Sequence, residues 1–153
     1  MIERRVAVRG IIIKNGKILA QKLLPGLDGR EREYWCTPGG GLEINESLTD
    51  GLIREMIEET GIAPKIGRLL FIQQFIDKNS DKSKEQLEFF FHIENADDYE
   101  NIDLTKTSHG PIEIKSVDFI DPKNNNILPA FLQNIDIQSY TTENKPVYIY
   151  NEI

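Results

Sequence analysis

Short segments in which apolar and polar residues alternate run through most of the chain, and they predict a fold built mainly from strands. The predicted strands are residues 4–13, 17–24, 34–37, 65–77, 86–94 and 112–120. Asn15 and Gly16 lie between the first two, and this dipeptide between apolar runs is a strong signal for a tight hairpin. Residues 146–150 indicate one more strand, at the edge of a sheet.

One segment, residues 47–60, has the three-to-four-residue spacing of an amphipathic helix. Its apolar stripe is Leu48, Leu52, Ile53 and Met56. Ser47 is a natural N-cap with Asp50 three residues on, and Gly61 is a natural C-terminal stop. A shorter helix is predicted over residues 127–132. The remaining segments, residues 25–33, 39–41, 78–85 and 95–111, predict loops, and the three glycines of residues 39–41 predict a flexible turn.

Strands accompanied by one strong helix predict an α/β sandwich, and a length of 153 residues fits a single domain over residues 1–153. Hydrophobic residues make up 39% of the chain and charged residues 28%, which excludes the disordered and membrane-spanning classes. No apolar run approaches the roughly 20 residues that cross a bilayer. The N-terminal residues lack the apolar core of a secretion signal, and the single cysteine, Cys36, cannot form an internal disulfide. Both observations favour the cytoplasm.

The chain is acidic, with a net charge of −7 from 25 acidic and 18 basic side chains. Nucleic acid phosphates repel such a surface, so the composition disfavours a nucleic acid polymer as a partner. Solubility alone is a sufficient reason for the charge. A small anionic molecule can still bind, provided that metal ions lie between the acidic side chains and its phosphates.

Three glutamates of the predicted helix should crowd one of its faces. Glu55, Glu58 and Glu59 are spaced i, i+3 and i+4, which makes their side chains neighbours on a helix. Like charges at this spacing repel by roughly 0.2–0.5 kcal/mol per pair, so the arrangement does not serve stability. Clustered carboxylate oxygens favour a hard divalent cation, and the sequence therefore predicts Mg²⁺ or Mn²⁺ among them.

The segment that contains these glutamates resembles the Nudix box, G-x5-E-x7-R-E-U-x-E-E-x-G-U, where U is a bulky apolar residue. Every defined position is filled here, by Gly40, Glu46, Arg54, Glu55, Met56, Glu58, Glu59, Gly61 and Ile62. At ordinary residue usage such a match arises by chance less than about once in ten million chains of this length. The resemblance covers 23 residues. It implies an α/β/α sandwich with a mixed β-sheet and a hydrolase that cleaves pyrophosphate bonds.

The resemblance also implies roles for individual residues. Glu55 and Glu59 are expected to be metal ligands, with Glu58 as a third. The family often adds a backbone carbonyl from the glycine segment, which here is that of Gly39. Arg54 is expected to orient a glutamate of the box through a bidentate ion pair. The implied cofactor is Mg²⁺, or Mn²⁺ in its place.

The general base has more than one candidate. In some family members it is a glutamate of the box, which here means Glu55 or Glu58. In others it is an acid on a distant loop, and Glu113, which follows the polar segment 95–111, is the best such residue in this chain. The alternative for Glu113 is a solvent-facing position on a strand. His109 is expected to be an exposed loop residue.

The substrate implied by the resemblance is a nucleoside diphosphate linked to another moiety. The proline that marks the ADP-ribose subgroup is absent, since position 78 is Lys78. A nucleoside triphosphate is favoured and a nucleotide sugar comes next. The expected partner is thus a nucleotide-type small molecule, with no membrane involved and with a homodimer as a further option.

Two other functions are compatible with an acidic helix. The first is a Nudix-like domain that senses a nucleotide without cleaving it, which loss of acids from the box would favour. The second is an acidic structural protein that binds Ca²⁺. No acid of the box is lost in this chain, and the looped ligand pattern of an EF-hand is absent from it.

Overall fold

The computed structural model describes residues 3–26, 29–77 and 84–153 of the chain. Its strands are β1 (Glu3–Ile11), β2 (Ile13–Lys14), β3 (Lys17–Leu23), β4 (Trp35–Cys36), β5 (Gly39–Gly41), β6 (Ile66–Asp77), β7 (Lys84–Ile93), β8 (Ile114–Ile120), β9 (Ile127–Leu128) and β10 (Tyr148–Asn151). Its helices are α1 (Leu48–Thr60), α2 (Gly110–Glu113) and α3 (Ser139–Thr142), with 3₁₀ turns at Ala96–Tyr99, Leu104–Lys106 and Ala130–Gln133. Within these ranges no helix is both long and apolar enough to cross a membrane.

The strands form two sheets. The first has the order β10-β6-β7-β1-β5, and the second has the order β2-β3-β4-β9 with β8 paired to β3. Both sheets are mixed: β1 runs parallel to β7 and antiparallel to β5, and β4 runs parallel to β9 but antiparallel to β3. The predicted α/β class with mixed sheet pairing is confirmed, with the strands divided between two sheets.

The hairpin between β2 and β3 and the edge strand near the end of the chain are confirmed. Asn15 and Gly16 have φ values of 53° and 75°, the left-handed conformation at both positions that a tight hairpin with the natural strand twist requires. Among the described strands, β10 pairs only with β6, and it therefore lies at the edge of the first sheet.

Two clusters of buried apolar side chains hold the layers together. One joins the two sheets and includes Ile11, Ile18, Phe71, Phe90 and Ile127. The other lies between helix α1 and the first sheet and includes Val8, Ile12, Leu52, Met56 and Ile93. Burying one such side chain contributes roughly 1.5–3 kcal/mol. This exceeds the roughly 0.2–0.5 kcal/mol of repulsion per glutamate pair, so packing holds α1 in place despite its acidic face.

The ends of α1 follow the prediction. The Ser47 hydroxyl accepts a hydrogen bond from the Asp50 backbone N–H at 3.1 Å, which satisfies one free donor of the first turn. Gly61 ends the helix in the left-handed conformation, with φ of 75°, and its N–H donates to the carbonyl of Ile57. Ile53 lies at the margin of the apolar stripe and is 37% exposed.

The prediction of a flexible turn at residues 39–41 is wrong, because these glycines form strand β5. They pair antiparallel with β1, with Gly39 opposite Arg9 and Gly41 opposite Ala7. Three glycines carry no side-chain pattern, so the pairing comes from the neighbouring strand. Gly39 has φ of 135°, and a Cβ atom there would lie 2.1 Å from the Val8 carbonyl oxygen. Only glycine allows this approach of the two backbones.

Other boundaries also differ from the prediction because tertiary contacts select a different local structure. Strand β8 starts at Ile114, and Glu113 ends the short helix α2 instead of lying on a strand. The helix predicted over residues 127–132 is instead strand β9, a cis Leu128–Pro129 bond and a 3₁₀ turn. Strand β9 forms because it pairs with β4.

The predicted loops also need correction. The segment 95–111 contains two 3₁₀ turns and the start of α2. Of the predicted loop 78–85, residues 78–83 lie outside the described residues, and Lys84 and Glu85 belong to β7. Residues 27–28 of the predicted loop 25–33 also lie outside the described residues.

We expect Gly39→Ala to lower the free energy of unfolding by about 3 kcal/mol or more, because the methyl group collides with backbone and the φ value is strained. Gly16→Ala is the matched control. Gly16 also has positive φ, 75°, but nothing lies within 4 Å of its Cβ position, so the cost should be about 1 kcal/mol of strain alone. Urea unfolding of both variants measures the difference. Equal losses would show that the close approach at Gly39 does not stabilise β5.

Candidate active site

A cavity of about 710 Å³ opens where helix α1, strand β5 and the inner face of the first sheet meet. The three glutamates of α1 and the glycines of β5 line one side of it. Arg5 and Arg9 of β1 and Glu88 of β7 line another, and His109 and Glu113 lie at a third. The structure therefore brings every candidate residue of the sequence to one cavity.

Glu59 is the most deeply buried of the three glutamates, with 4% of its surface exposed. One carboxylate oxygen accepts a hydrogen bond from the Gly39 backbone N–H at 2.9 Å, and the other accepts from the Gln21 side-chain amide at 3.3 Å. Burial raises the pKa of Glu59 to about 7, and the hydrogen bond from Gly39 and the charge of Arg9 only partly oppose this. The Glu59 carboxylate is thus held by two neutral donors and has no ion-pair partner among the described residues.

Glu55 lies against the backbone of the glycine strand. A Cβ atom at Gly40 would come within 2.5 Å of the Glu55 carboxyl carbon, so a side chain at position 40 would displace the carboxylate. Burial raises the pKa of Glu55, and the hydrogen bond from Arg54 at 3.0 Å opposes the rise. Gly40 of the motif therefore leaves the space that the Glu55 carboxylate occupies.

Arg54 lies at the centre of the acidic side chains. Its Nε and Nη2 atoms donate to the two oxygens of Glu46 at 2.8 and 2.9 Å, a bidentate pair. Nη2 also donates to the Gly41 carbonyl at 3.0 Å, which joins the helix to β5. Hydrogen bonds from Arg54 and from the Glu43 backbone lower the pKa of Glu46 to about 2. The box glutamate that Arg54 orients by both oxygens is Glu46.

Gly51 provides the space for this pair. A Cβ atom at Gly51 would lie 2.5 Å from a methyl carbon of Leu42 and 2.9 Å from a carboxylate oxygen of Glu46. A glycine inside a helix costs roughly 1 kcal/mol relative to alanine. The close approach of Leu42 and Glu46 explains why the helix carries it.

Glu58 lies between Arg54 and His109. Its carboxylate accepts from Arg54 Nη1 at 3.2 Å, and one of its oxygens is 3.2 Å from Nδ1 of His109. The His109 backbone N–H donates to the Glu58 carbonyl at 3.0 Å, which attaches the loop before α2 to the helix. Nδ1 of His109 is also 4.0 Å from a carboxylate oxygen of Glu113, whose side chain is 51% exposed.

Sequence reasoning missed the contact of His109 with the box glutamate, because it offered only an exposed loop residue or a phosphate contact for this side chain. The side chain is 40% exposed, yet it lies between Glu58 and Glu113. Nothing in the local sequence marks this contact, because it depends on how the segment after strand β7 returns to helix α1.

Sequence reasoning also missed a second ion pair on the cavity wall. Arg9 Nε donates to Glu88 at 2.8 Å, and its Nη1 donates to the Thr37 and Gly39 carbonyls at 3.4 and 3.2 Å. Glu88 and Gln86 are only 7% and 6% exposed, although they alternate with apolar residues as if they faced solvent. Their alternation with apolar residues along β7 does not predict this burial, because the polar face of the strand borders a cavity and not bulk solvent.

Comparison with known proteins places the chain in a family. A sequence model of the NUDIX domain matches residues 3–136. The chain belongs to the Nudix family. Over 74 residues it is 36% identical to an ADP-ribose pyrophosphatase of Methanocaldococcus jannaschii, a stretch that covers 48% of this chain and 42% of that protein. Over 73 residues it is 33% identical to mouse diphosphoinositol polyphosphate phosphohydrolase 3-alpha, with coverage of 47% and 43%.

The fold of this Nudix domain matches solved structures over nearly its whole length. The crystal structure of a MutT protein from Bacillus halodurans aligns with a TM-score of 0.65 and 18% identity, over 96% of this chain and 89% of that one. This likeness establishes the fold. The chain matches less than half the length of the two curated relatives above.

The donor groups of the Nudix domain fit a partly hydrated Mg²⁺ better than an ion enclosed by protein. In residues 3–26, 29–77 and 84–153, no three His, Cys, Asp or Glu side chains converge closely enough to enclose a metal ion. Mg²⁺ usually keeps several waters and takes only one or two carboxylates. Gln21 Oε1 is buried beside Glu59 and has no hydrogen-bond partner among the described residues. A buried carboxylate and an unsatisfied oxygen suit a cation or its water ligands.

We expect Glu59→Gln to be more stable than the wild-type domain at pH 8 when divalent cations are absent. The raised pKa of Glu59, about 7, means that folding opposes its ionisation. From about pH 4.5 to pH 7 the unfolded chain therefore loses this proton first, and wild-type stability falls as the pH rises. Glutamine does not titrate, so its advantage should grow over this window by about 3 kcal/mol.

Urea unfolding at pH 5 and pH 8 in EDTA measures this difference. Asp50→Asn, an exposed position on the same helix, is the matched control. It removes a favourable charge from the first turn of α1, so it should differ from the wild type by the same small amount at both pH values. A stability difference between Glu59→Gln and the wild type that is the same at pH 5 and pH 8 would contradict the raised pKa.

Proposed function

We propose that this Nudix domain hydrolyses the pyrophosphate bond of a nucleoside diphosphate linked to another moiety, and that it depends on Mg²⁺ or Mn²⁺. The observation that carries the proposal is the meeting of the three α1 glutamates with Arg9 and Arg54 in one cavity. A pyrophosphate needs its negative charge neutralised and a water molecule positioned before it is cleaved. Carboxylates that can hold a cation and arginines that can bind phosphate oxygens both line the cavity.

Glu55 and Glu59 are the proposed metal ligands, and Glu58 is the third, which would act through a water ligand of the ion because no three carboxylates converge among the described residues. The Gly39 carbonyl completes the set, since Arg9 occupies one side of this oxygen at 3.2 Å and a second lone pair remains. When bound, the ion neutralises phosphate oxygens and the charge that develops on them. The raised pKa values of Glu55 and Glu59 support these assignments, because a nearby cation would offset the cost of burying their charges.

Arg54 acts through the residues it holds. Its guanidinium fork binds Glu46, and its other contacts reach Glu55, Glu58 and the Gly41 carbonyl. It therefore fixes the helix and β5 relative to each other. We assign it a positioning role, in which loss of the fork loosens the carboxylates without removing any of them.

The attacking nucleophile is a water molecule whose oxygen bonds to phosphorus as the bridging P–O bond breaks. The products are a monophosphate and a second phosphorylated compound. The proton of the water passes to Glu58 or to Glu113, the two carboxylates on either side of His109. Glu55 is the third candidate for this base. Replacing each of them with glutamine separates the candidates, because the base is the residue whose loss removes turnover without weakening metal binding.

Among substrates, a nucleoside triphosphate is the first choice and a nucleotide sugar the second. The names of the relatives add two further compounds to test, ADP-ribose and a diphosphoinositol polyphosphate. The cavity of about 710 Å³ is within the range of small-molecule sites, which supports a nucleotide-sized ligand.

We expect the purified domain to hydrolyse at least one member of a panel of nucleoside triphosphates, oxidised guanine nucleotides, ADP-ribose, nucleotide sugars, dinucleoside polyphosphates and a diphosphoinositol polyphosphate. Hydrolysis should stop in EDTA and return with Mg²⁺ or Mn²⁺, because the carboxylates act through the ion. Product release is followed by chromatography and phosphate detection. A domain that binds a compound of this panel but cleaves none with either metal would be a sensor, not an enzyme.

We expect Glu59→Gln to reduce kcat by two orders of magnitude or more on the best substrate of that panel, because a neutral amide is a much weaker ligand for a hard cation. Asp50→Asn, on the exposed side of the same helix, should keep near-normal activity. Steady-state kinetics of both variants measure kcat, and circular dichroism checks that both are folded. Near-normal turnover by Glu59→Gln would remove Glu59 from the site.

A further inference from the structure

Arg5 presents a guanidinium to the cavity that forms no ion pair with the described part of the protein. The side chain is half-buried on β1, and its Nη1 atom donates to Gln86 Oε1 at 3.3 Å. Its Nε and Nη2 atoms lie 3.4 Å from the position of a Cβ atom at Gly41. A guanidinium has five N–H donors. Within residues 3–26, 29–77 and 84–153 Arg5 has no carboxylate within 4.0 Å, and its one hydrogen-bond partner is a neutral amide.

The other two arginines that line the cavity differ from Arg5 in this respect. Arg9 is paired with Glu88 at 2.8 Å, and Arg54 is paired with Glu46, Glu55 and Glu58. Partly buried charges normally have a charged partner, since burial alone makes them costly. Burial, followed by the nearby charge of Arg9, lowers the pKa of Arg5, and the charges of Glu88, Glu55 and Asp77 only partly oppose this. An anionic group of a ligand would supply the missing partner.

Arg5 and the α1 glutamates approach the cavity from opposite faces of strand β5. Gly40 faces the Glu55 carboxylate and Gly41 faces the Arg5 guanidinium. Successive residues of a strand point to opposite sides and lie only about 3.3 Å apart along it. The two positions are therefore close but face opposite sides of β5, so a ligand that contacts both must extend past the strand within the one cavity.

We propose that Arg5 binds a phosphoryl group of the substrate other than the two joined by the bond that is cleaved. The domain then prefers substrates with at least one phosphate beyond the cleaved pyrophosphate over those with two phosphates in all. This inference rests on the proposed function and specifies its substrate class. The extra phosphate can come from a nucleoside triphosphate chain or from the ring of a diphosphoinositol polyphosphate, and both present the same oxyanions to a guanidinium.

The test compares Arg5→Gln and Arg5→Lys with Arg4→Gln. Arg4 is the matched control, because it precedes Arg5 on β1, points to the other face, and is an exposed residue paired with Glu85 at 2.7 Å. We expect Arg5→Gln to raise KM at least tenfold for a nucleoside triphosphate or a diphosphoinositol polyphosphate. KM for ADP-ribose and a nucleotide sugar should change less than threefold. Arg5→Lys should fall between the wild type and Arg5→Gln, and Arg4→Gln should match the wild type.

Comparison of the nucleoside triphosphate with the diphosphoinositol polyphosphate identifies the source of the extra phosphate. In Arg5→Gln, KM should rise more for the compound that belongs to the true substrate class. Equal losses for two-phosphate and three-phosphate substrates would overturn the inference. So would a loss that follows the nucleobase, which would make Arg5 a reader of the base. No loss for any substrate would overturn it as well.

Equilibrium binding separates failure of this inference from failure of the proposed function. Calorimetric titration with inorganic tripolyphosphate and with pyrophosphate, each with Mg²⁺, needs no turnover. Wild-type protein should bind tripolyphosphate more tightly than pyrophosphate, and Arg5→Gln should lose that preference while keeping its circular dichroism spectrum. This result supports the assignment of Arg5 even if the domain cleaves nothing. Equal binding of the two anions by the wild type overturns it, even if the domain is an active hydrolase.

Discussion

The site depends on the close approach of strand β5 to helix α1 and strand β1. Gly39 lies against the backbone of β1, and Gly40 lies against the Glu55 carboxylate, at distances that leave no room for a Cβ atom. Because these positions have no side chains, the N–H of Gly39 can donate to Glu59 at 2.9 Å. A bulkier strand would push the helix away and take two carboxylates out of the cavity. The glycines therefore allow Glu55 and Glu59 to lie against the backbone of β5.

The same approach gives the site its unusual electrostatics. Glu59 is held by two neutral donors, Gly39 and Gln21, and within the described ranges it has no ion pair. Arg54, the arginine nearest the helix glutamates, donates from Nε and Nη2 to Glu46 and contacts Glu55 and Glu58 through Nη1 alone. The result is a hydrogen-bonded set of acids whose negative charge is only partly balanced. Such a set is poor for stability and well suited to a divalent cation.

Much of the fold and of the acidic cluster could be predicted from local patterns. The helix over residues 48–60, its caps at Ser47 and Gly61 and the Asn15-Gly16 hairpin all follow from short-range chemistry, and all are present. The glycine segment was predicted wrongly because a run of glycines carries no periodic signal, whereas its strand geometry is imposed by pairing with β1. The prediction of a helix over the residues of strand β9 is wrong for a similar reason, since the pairing partner β4 lies about ninety residues earlier in the chain.

The sequence by itself determined which acids share one helix face and which glycines and arginine accompany them. The spacing of residues within a single helix fixes the side of the helix on which each side chain lies. Tertiary structure alone decided which groups meet those acids from elsewhere. His109 reaches Glu58 from a distant loop, Glu88 and Gln86 are buried against a cavity despite a surface-like pattern, and Arg5 faces that cavity without a carboxylate partner in the described chain. These contacts depend on strand order and register, which join residues that no local spacing relates.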